Sequence, residues 1–257
     1  MSSLSIRKLA NYVTWIELNR PEVKNAISRA LLSELHKTIR EIPKTDARVL
    51  VITGSGNSFS SGADLKERNV MSMDEVLIFL NNINQCFSDL ENLPIPTIAC
   101  INGFAFGGGL ELALSCDIRY ASESALMGLT ETKLGIIPGA GGTQRLLRIV
   151  GEQTTKEWIF SAKKVSSLIA KEKGLVSEIF SDETLVESTQ ILAQEIAESA
   201  PIAVKAAKKA IQAGREMSVK DAILWERLCY LETIATADRR EALLAFSEKR
   251  KPNFKGE

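Results

Sequence analysis

The sequence predicts an α/β protein, a parallel-sheet core followed by a helical C-terminal part, and three observations carry that reading. Short continuous apolar runs, RVLVIT at 48–53 and TIACI at 97–101, have the character of strands covered on both faces. Amphipathic helical patterns separate them with the short links of βαβ crossovers. Beyond Arg145 the periodicity is helical throughout. With 257 residues and 45% apolar content, the chain can bury a large core without staples. We divide it into a core at 1–195 and a helical part at 196–257.

In chain order, YVTWIEL at 12–18 alternates and is rich in β-branched and aromatic residues, which predicts a strand ending at the turn Asn19-Arg20-Pro21. Ser28 then caps a helix whose apolar positions Leu31, Leu32, Leu35, Ile39 and Ile42 recur at helical spacing as far as Pro43. The only histidine, His36, lies in this helix with no acidic or cysteine partner nearby, which disfavours Ser-His and Cys-His chemistry. The run at 48–53 leads into GSGNSFSSGAD, which ends in Gly62-Ala63-Asp64. Residues 73–90 give a longer helical pattern, with Val76, Leu77, Leu80, Ile83, Phe87 and Leu90 on one side, closed by Pro94 and Pro96. The run at 97–101 feeds directly into a glycine cluster, and 117–121 continues the strands. Helices follow at 144–150, 156–160, 166–174, 183–199, 202–214, 219–236 and 239–249. Lys205, Lys208 and Lys209 share one face of such a helix, read as a solvated face.

Composition excludes several classes. Lys plus Arg equals Asp plus Glu at 32 each, so no net field favours nucleic acid or an anionic membrane. Cys86, Cys100, Cys116 and Cys229 show no metal-like spacing and read as buried free thiols of a reducing compartment, so no metal site is expected. MSSLSIRKLANY lacks a signal-peptide apolar block, and no apolar run approaches the roughly 20 residues of a spanning helix. The expected location is cytoplasmic, or the mitochondrial matrix if a transit peptide has been removed.

The chemistry concentrates at 101–145, which holds most of the sixteen glycines. Gly107, Gly108 and Gly109 let backbone approach a ligand closely, and the apolar helix that follows aims its free N–H groups there. Two glycine turns, SSGAD and FGGGLE, each follow a buried strand. If those strands are neighbours in one parallel sheet, both turns emerge at its carboxyl edge, and the amides of Ala63 and Gly108 converge on one carbonyl oxygen. Such an oxyanion hole suits a reaction that builds negative charge on a thioester or ester oxygen. G-x-G-x-x-G is absent from these turns and G-x-x-x-x-G-K-[ST] from the chain, which disfavours a nicotinamide or ATP enzyme. Glu111 and Glu131 add two carboxylates in partly apolar settings, which raise or split their pKa values for acid and base steps near neutral pH.

INGFAFGGGLELALSCDIRYA, with SFSSGADLKE before it and GLTETKLGIIPGAGGTQRL after it, resembles the crotonase, or enoyl-CoA hydratase/isomerase, family. The resemblance runs from NRPEVKNA at 19–26 to AFSEKRKPNFKG at 245–256. It implies a crotonase-like ββα-spiral core and a helical C-terminal trimerisation part, hence a homotrimer or a homohexamer built as a dimer of trimers. It also implies an acyl-CoA thioester substrate, with coenzyme A as part of the substrate and no separate cofactor. Carried over residue by residue, it puts the oxyanion-hole amides on Ala63 and Gly108 and the catalytic carboxylates on Glu111 and Glu131. Glu111 is then the base that activates a water for attack at the β-carbon, and Glu131 supplies the α-carbon proton.

By the same resemblance Ala63, Asp64 and Leu65 border the adenine pocket, while Phe246 and Lys249 of a neighbouring subunit cover the adenine and meet phosphate. Glu22 departs from the pattern, standing where hydratases commonly carry a lysine near the cofactor. SGADLKER, GGGLELAL and ETKL look like the methylglutaconyl-CoA hydratase branch. The short-chain branch more often has Cys and Pro where this chain has Leu110 and Thr130. Many isomerases, dehalogenases and hydrolases of the family lack one of the two glutamates, so their joint presence favours hydration, with enoyl-CoA isomerisation as the alternative. Some members of that branch bind AU-rich RNA through a lysine-rich helix. Here Glu34 and Glu41 interrupt Arg29, Lys37 and Arg40, which disfavours nucleic acid. The acyl pocket is expected to draw on 68–84 and on the C-terminal helices, whose patterns do not specify the chain.

Overall fold

The computed structural model describes residues 2–9 and 11–257. Strands β1 (Leu4–Lys8) and β2 (Val13–Leu18) form an antiparallel edge pair. Helix α1 (Arg29–Glu41) starts at Ser28, whose hydroxyl accepts from Leu31 N at 3.2 Å, and returns the chain to β3 (Val49–Gly54), parallel to β2. Then come the short β4 (Ser58–Ser60), α2 (Leu65–Arg68) and the long α3 (Met73–Glu91), which begins with a full Ser72/Glu75 capping box. Strand β5 (Thr97–Ile101) pairs parallel with β3, and β6 (Phe104–Phe106), α4 (Gly108–Leu114), β7 (Ile118–Ser122) and β8 (Leu126–Gly128) follow. After a 3₁₀ turn at Glu131–Leu134 come α5 (Gly142–Val150), α6 (Glu152–Ser161), β9 (Val165–Ser166), α7 (Ser167–Glu172) and β10 (Glu178–Phe180). The chain closes with α8 (Leu185–Ala197), α9 (Pro201–Gly214), α10 (Val219–Ile234) and α11 (Ala237–Ser247).

These strands make two sheets, one of six strands in the order β1-β2-β3-β5-β7-β10 and one of four in the order β4-β6-β8-β9. Every residue of β3 and β5 is buried, and the packing explains why their sequences do not alternate. Leu50, Ile52, Ala99 and Ile101 face a core shared with α1, α3 and α4, while Val49, Val51, Ile98 and Cys100 face Leu185, Ala193 and Ala197 of α8. A sheet covered on both faces has no polar side to show.

Several expectations change. The first strand, LSIRK, is an edge strand largely exposed to solvent, so its pattern is too polar to announce it. The region after Arg145 is not wholly helical, because β9 and β10 each add an edge strand to a sheet. Both are only two or three residues long, too short for periodicity to register. His36 does have an acidic partner, Asp89 of α3, with Nε2 2.8 Å from Oδ2. Lys208 is not on a solvated face: it is 8% exposed, and its Nζ donates to Asp117 Oδ2 at 2.7 Å and to the Ile95 carbonyl at 2.9 Å. All four cysteines are free and buried. Among the described residues no helix is long and apolar enough to cross a membrane.

Candidate active site

The two glycine turns sit at the ends of short strands of the smaller sheet, not directly on β3 and β5. Strands β4 and β6 pair in parallel, with Ser58 opposite Phe104 and Ser60 opposite Ala105. Each main-sheet strand hands its chain to a strand of the second sheet before turning, so the expected juxtaposition is reached one step later. An ideal Cβ on Gly62 would lie 3.1 Å from Gly108 N, and one on Gly108 would lie 3.6 Å from Ala63 N. The turns therefore touch.

Ala63 is held by a bridge to Ile27, in which Ile27 N donates to the Gly62 carbonyl at 2.8 Å and Asp64 N to the Ile27 carbonyl at 3.1 Å. This pairing uses the groups on either side and leaves the Ala63 amide unbonded. Gly108 opens α4, where the first amides have no intrahelical acceptor. Among the described residues neither amide donates to protein.

The glycine triplet has a separate reason at each position. A side chain at Gly107, where φ is +51°, would come 3.0 Å from Glu131 Oε1, so this glycine makes room for a carboxylate. Gly108 leaves the space beside the Ala63 amide open. Gly109 passes over β4 so closely that a Cβ would lie 2.3 Å from the Ser60 carbonyl oxygen.

Glu111 projects from α4 and is 3% exposed. Its Oε1 accepts from the amides of Ala140 and Gly142, both at 2.8 Å. Burial pushes its proton affinity up, while the two amides and the nearby Arg145 guanidinium pull the other way, with the rise prevailing. Glu131 begins the 3₁₀ turn and is 8% exposed, and its Oε2 has no hydrogen-bond partner among the described residues. Burial first, and the charge of Glu111 second, push its pKa up to about 7. A carboxylic acid of that affinity holds or releases a proton near neutrality.

The remaining predicted positions divide. The Asp64 carboxylate caps α2, accepting from the Lys66 and Glu67 amides at 3.2 and 3.4 Å, and pairs with Arg20 at 3.2 Å. Its side chain is thus engaged in holding the turn. Leu65 is exposed beside it. Phe246, on α11, is 86% exposed, and Lys249 lies just beyond that helix at φ +54°. Neither makes a hydrogen bond to the turns at Ala63 and Gly108 within this chain. Sequence reasoning missed the 139–142 turn as the partner of Glu111. The signal available was PGAGGTQR, a third glycine cluster that no helix or strand required.

A main sheet and a smaller one wound from the same strand-turn-strand units, with helices α9 to α11 appended, form the crotonase fold. The sequence comparisons agree. A profile of the enoyl-CoA hydratase/isomerase family matches residues 8–257, and the chain belongs to that family. It is 46% identical over 247 residues to the human mitochondrial methylglutaconyl-CoA hydratase, covering 93% of this chain and 73% of that one. It is 45% identical over 249 residues to an enoyl-CoA isomerase/hydratase of Mycosarcoma maydis, covering 93% of this chain and 91% of that one. The crystal structure of an enoyl-CoA hydratase from Bacillus anthracis superposes with a TM-score of 0.97 at 44% identity, covering 99% of this chain and 100% of that one.

Proposed function

We propose that the chain hydrates the 2,3 double bond of a 2-enoyl-CoA thioester, and that the unequal partnering of Glu111 and Glu131 beside the two free amides carries this reading. Water adds at the β-carbon as Glu111 removes one of its protons. The electron pair of the double bond moves toward the thioester carbonyl, whose oxygen becomes enolate-like and accepts from the Ala63 and Gly108 amides. Glu131 then delivers a proton to the α-carbon. Glu111, fixed by two amides, is suited to orient a water, and Glu131, with an unpartnered oxygen and a pKa near 7, is suited to give up a proton.

The coenzyme A moiety is the only cofactor-like group this reading needs. Its adenine lies against Ala63, Asp64 and Leu65, with Phe246 and Lys249 supplied by a neighbouring subunit. Exposed apolar side chains on α10 and α11, including Leu224, Leu228, Leu231, Leu243 and Leu244, support assembly into a homotrimer or a dimer of trimers. The methylglutaconyl-CoA hydratase name of one relative supports a short or branched acyl chain. The reading places the reaction in leucine or fatty-acid breakdown, in the cytoplasm or the mitochondrial matrix. Nucleic acid is disfavoured further, because Lys208 is buried on Asp117 and Lys209 is paired with Glu232.

The test is hydration of crotonyl-CoA and 3-methylglutaconyl-CoA by the intact protein, with Glu111→Gln and Glu131→Gln alongside. Turnover no greater than in those variants would sink the proposal. A second reading, Δ3,Δ2-enoyl-CoA isomerisation with Glu131 as a proton shuttle, is favoured by the near-neutral Glu131 and by the isomerase/hydratase name of one relative. It requires that Glu131→Gln abolish turnover while Glu111→Gln keeps most of it.

A further inference from the structure

The turn that holds Glu111 is itself held, and one side chain does most of the holding. Arg145, in the second turn of α5, reaches back beneath residues 139–142. Its Nη1 donates to the Ala140 carbonyl at 2.8 Å, and its Nε and Nη2 engage Glu91 Oε2 of α3 at 3.0 and 2.9 Å. The guanidinium is seated directly under Gly141. That residue has φ +90°, and a Cβ there would lie 2.3 Å from Nη1. Gly141 is thus glycine for its backbone and for its neighbour. On the other side of the turn, Asn84 Nδ2 donates to the Gly139 carbonyl at 2.6 Å and to the Leu80 carbonyl at 2.8 Å.

The amide of Ala140 donates to Glu111 and its carbonyl accepts from Arg145. One residue therefore links the candidate base to the guanidinium. We propose that Arg145 is a positioning residue for Glu111, fixing the 139–142 turn so that the Ala140 and Gly142 amides both meet one carboxylate oxygen. This rests on the catalytic assignment of Glu111 made above. Arg145 touches neither Glu111 nor, in this reading, the thioester.

The geometry separates positioning from general stabilisation. A guanidinium presents a rigid planar fork whose Nη1 meets the Ala140 carbonyl while Nε and Nη2 meet Glu91, whereas a lysine ammonium in its place gathers its donors at one point on a flexible stem and an apolar side chain offers none. The charged groups around Glu111 are few: Glu131 from the 3₁₀ turn, Arg145 from α5 and, behind Arg145, Glu91 of α3, which also meets Arg215, the residue after α9, at 3.3 Å. Removing Arg145 takes away the cation nearest Glu111 and frees the turn that carries its two donors. Both changes raise the affinity of Glu111 for a proton.

The experiment compares Arg145→Met and Arg145→Lys with the intact protein. One readout is hydration kinetics against pH, and the other is an infrared titration of the carboxyl groups, with the Glu111 band identified by its loss in Glu111→Gln. For Arg145→Met we expect kcat to fall by about 10²-fold with KM within a few-fold, since a misplaced catalytic group costs rate rather than binding. The acid limb of the profile and the Glu111 band should move together to higher pH. Arg145→Lys should restore the position of that limb but not the full rate. An Arg145→Met protein whose Glu111 band and acid limb stay in place overturns the proposal, whether its rate is unchanged or falls only with its melting temperature. The infrared titration needs no substrate. Absent hydration in every form, with the Glu111 band still shifted by Arg145→Met, would refute the hydratase reading while leaving the positioning role standing.

Discussion

Glu111 and Glu131 occupy one buried region with opposite degrees of support: Glu111 Oε1 receives two backbone amides, and Glu131 Oε2 receives none from the described residues. The difference arises from where each begins. Glu111 sits in a helix that passes under the 139–142 turn, whereas Glu131 starts a 3₁₀ turn against Gly107, whose missing side chain leaves its carboxylate open space.

The first prediction concerns pH. Glu131 rises from an ordinary value of 4.5 to about 7 in the folded protein. The native state therefore binds more protons than the unfolded one between those values, and stability falls as pH rises through that window. Its contribution is full below about 4.5 and lost above about 7, a swing of at most about 3 kcal/mol. Glu131→Gln should flatten this dependence, so that the variant gains on the wild type in thermal melts at pH 8 but not at pH 4. Hydration should show a limb near pH 7 that is absent from the variant's residual rate.

The glycine triplet gives a second. Gly108→Ala places a methyl 3.6 Å from the Ala63 amide in ordinary contact, so the protein should fold with a normal melting temperature. It should nevertheless lose roughly 10²-fold or more in kcat, as when an oxyanion donor is blocked. Gly109→Ala drives its methyl to 2.3 Å from the Ser60 carbonyl and should fail as a fold, giving little soluble protein. Equal expression with equal activity for both would refute this division of labour.

A third prediction separates the coenzyme A handle from the chemistry. If Lys249 of a neighbouring subunit meets phosphate, Lys249→Ala should raise KM about tenfold for the CoA thioester, the loss of one exposed charged contact. It should leave KM unchanged for the matching pantetheine thioester, which lacks that phosphate. Steady-state kinetics on the two substrates provide the check.

The fourth tests the reassigned lysines of α9. Lys208→Ala removes a buried ammonium, leaves Asp117 and the Ile95 carbonyl without its donation, and should cost about 2–3 kcal/mol in chemical denaturation. Lys205→Ala, with no such partners, should change stability by less than about 0.5 kcal/mol.

What the sequence made legible follows from how local each signal is. Ser28 as a cap, the run at 48–53 as a doubly covered strand, and the helix from Met73 all depend on patterns within a few residues, and each stands where expected. Strands β9 and β10 do not, because strands of two or three residues leave no periodicity to read. Ala63 and Gly108 were legible as turns, but the second sheet that brings them together was not. It is made of segments such as FAF and LMG that look like loop. Lys208 misled for the opposite reason. Its helical face is polar in sequence, yet its partner Asp117 lies 91 positions away. The 139–142 turn was visible only as glycines, and nothing local says that a glutamate 29 positions earlier will accept from Ala140.

Because the Ala63 and Gly108 turns follow two strands paired in parallel, the approach of their amides is governed by backbone pairing. Backbone pairing, rather than a side chain reaching into the gap, positions the two turns. On the proposed reading, the backbone offers every thioester the same clasp, in place before any ligand arrives. On that same reading, diversification toward new acyl groups can proceed on the surrounding helices while the clasp is kept.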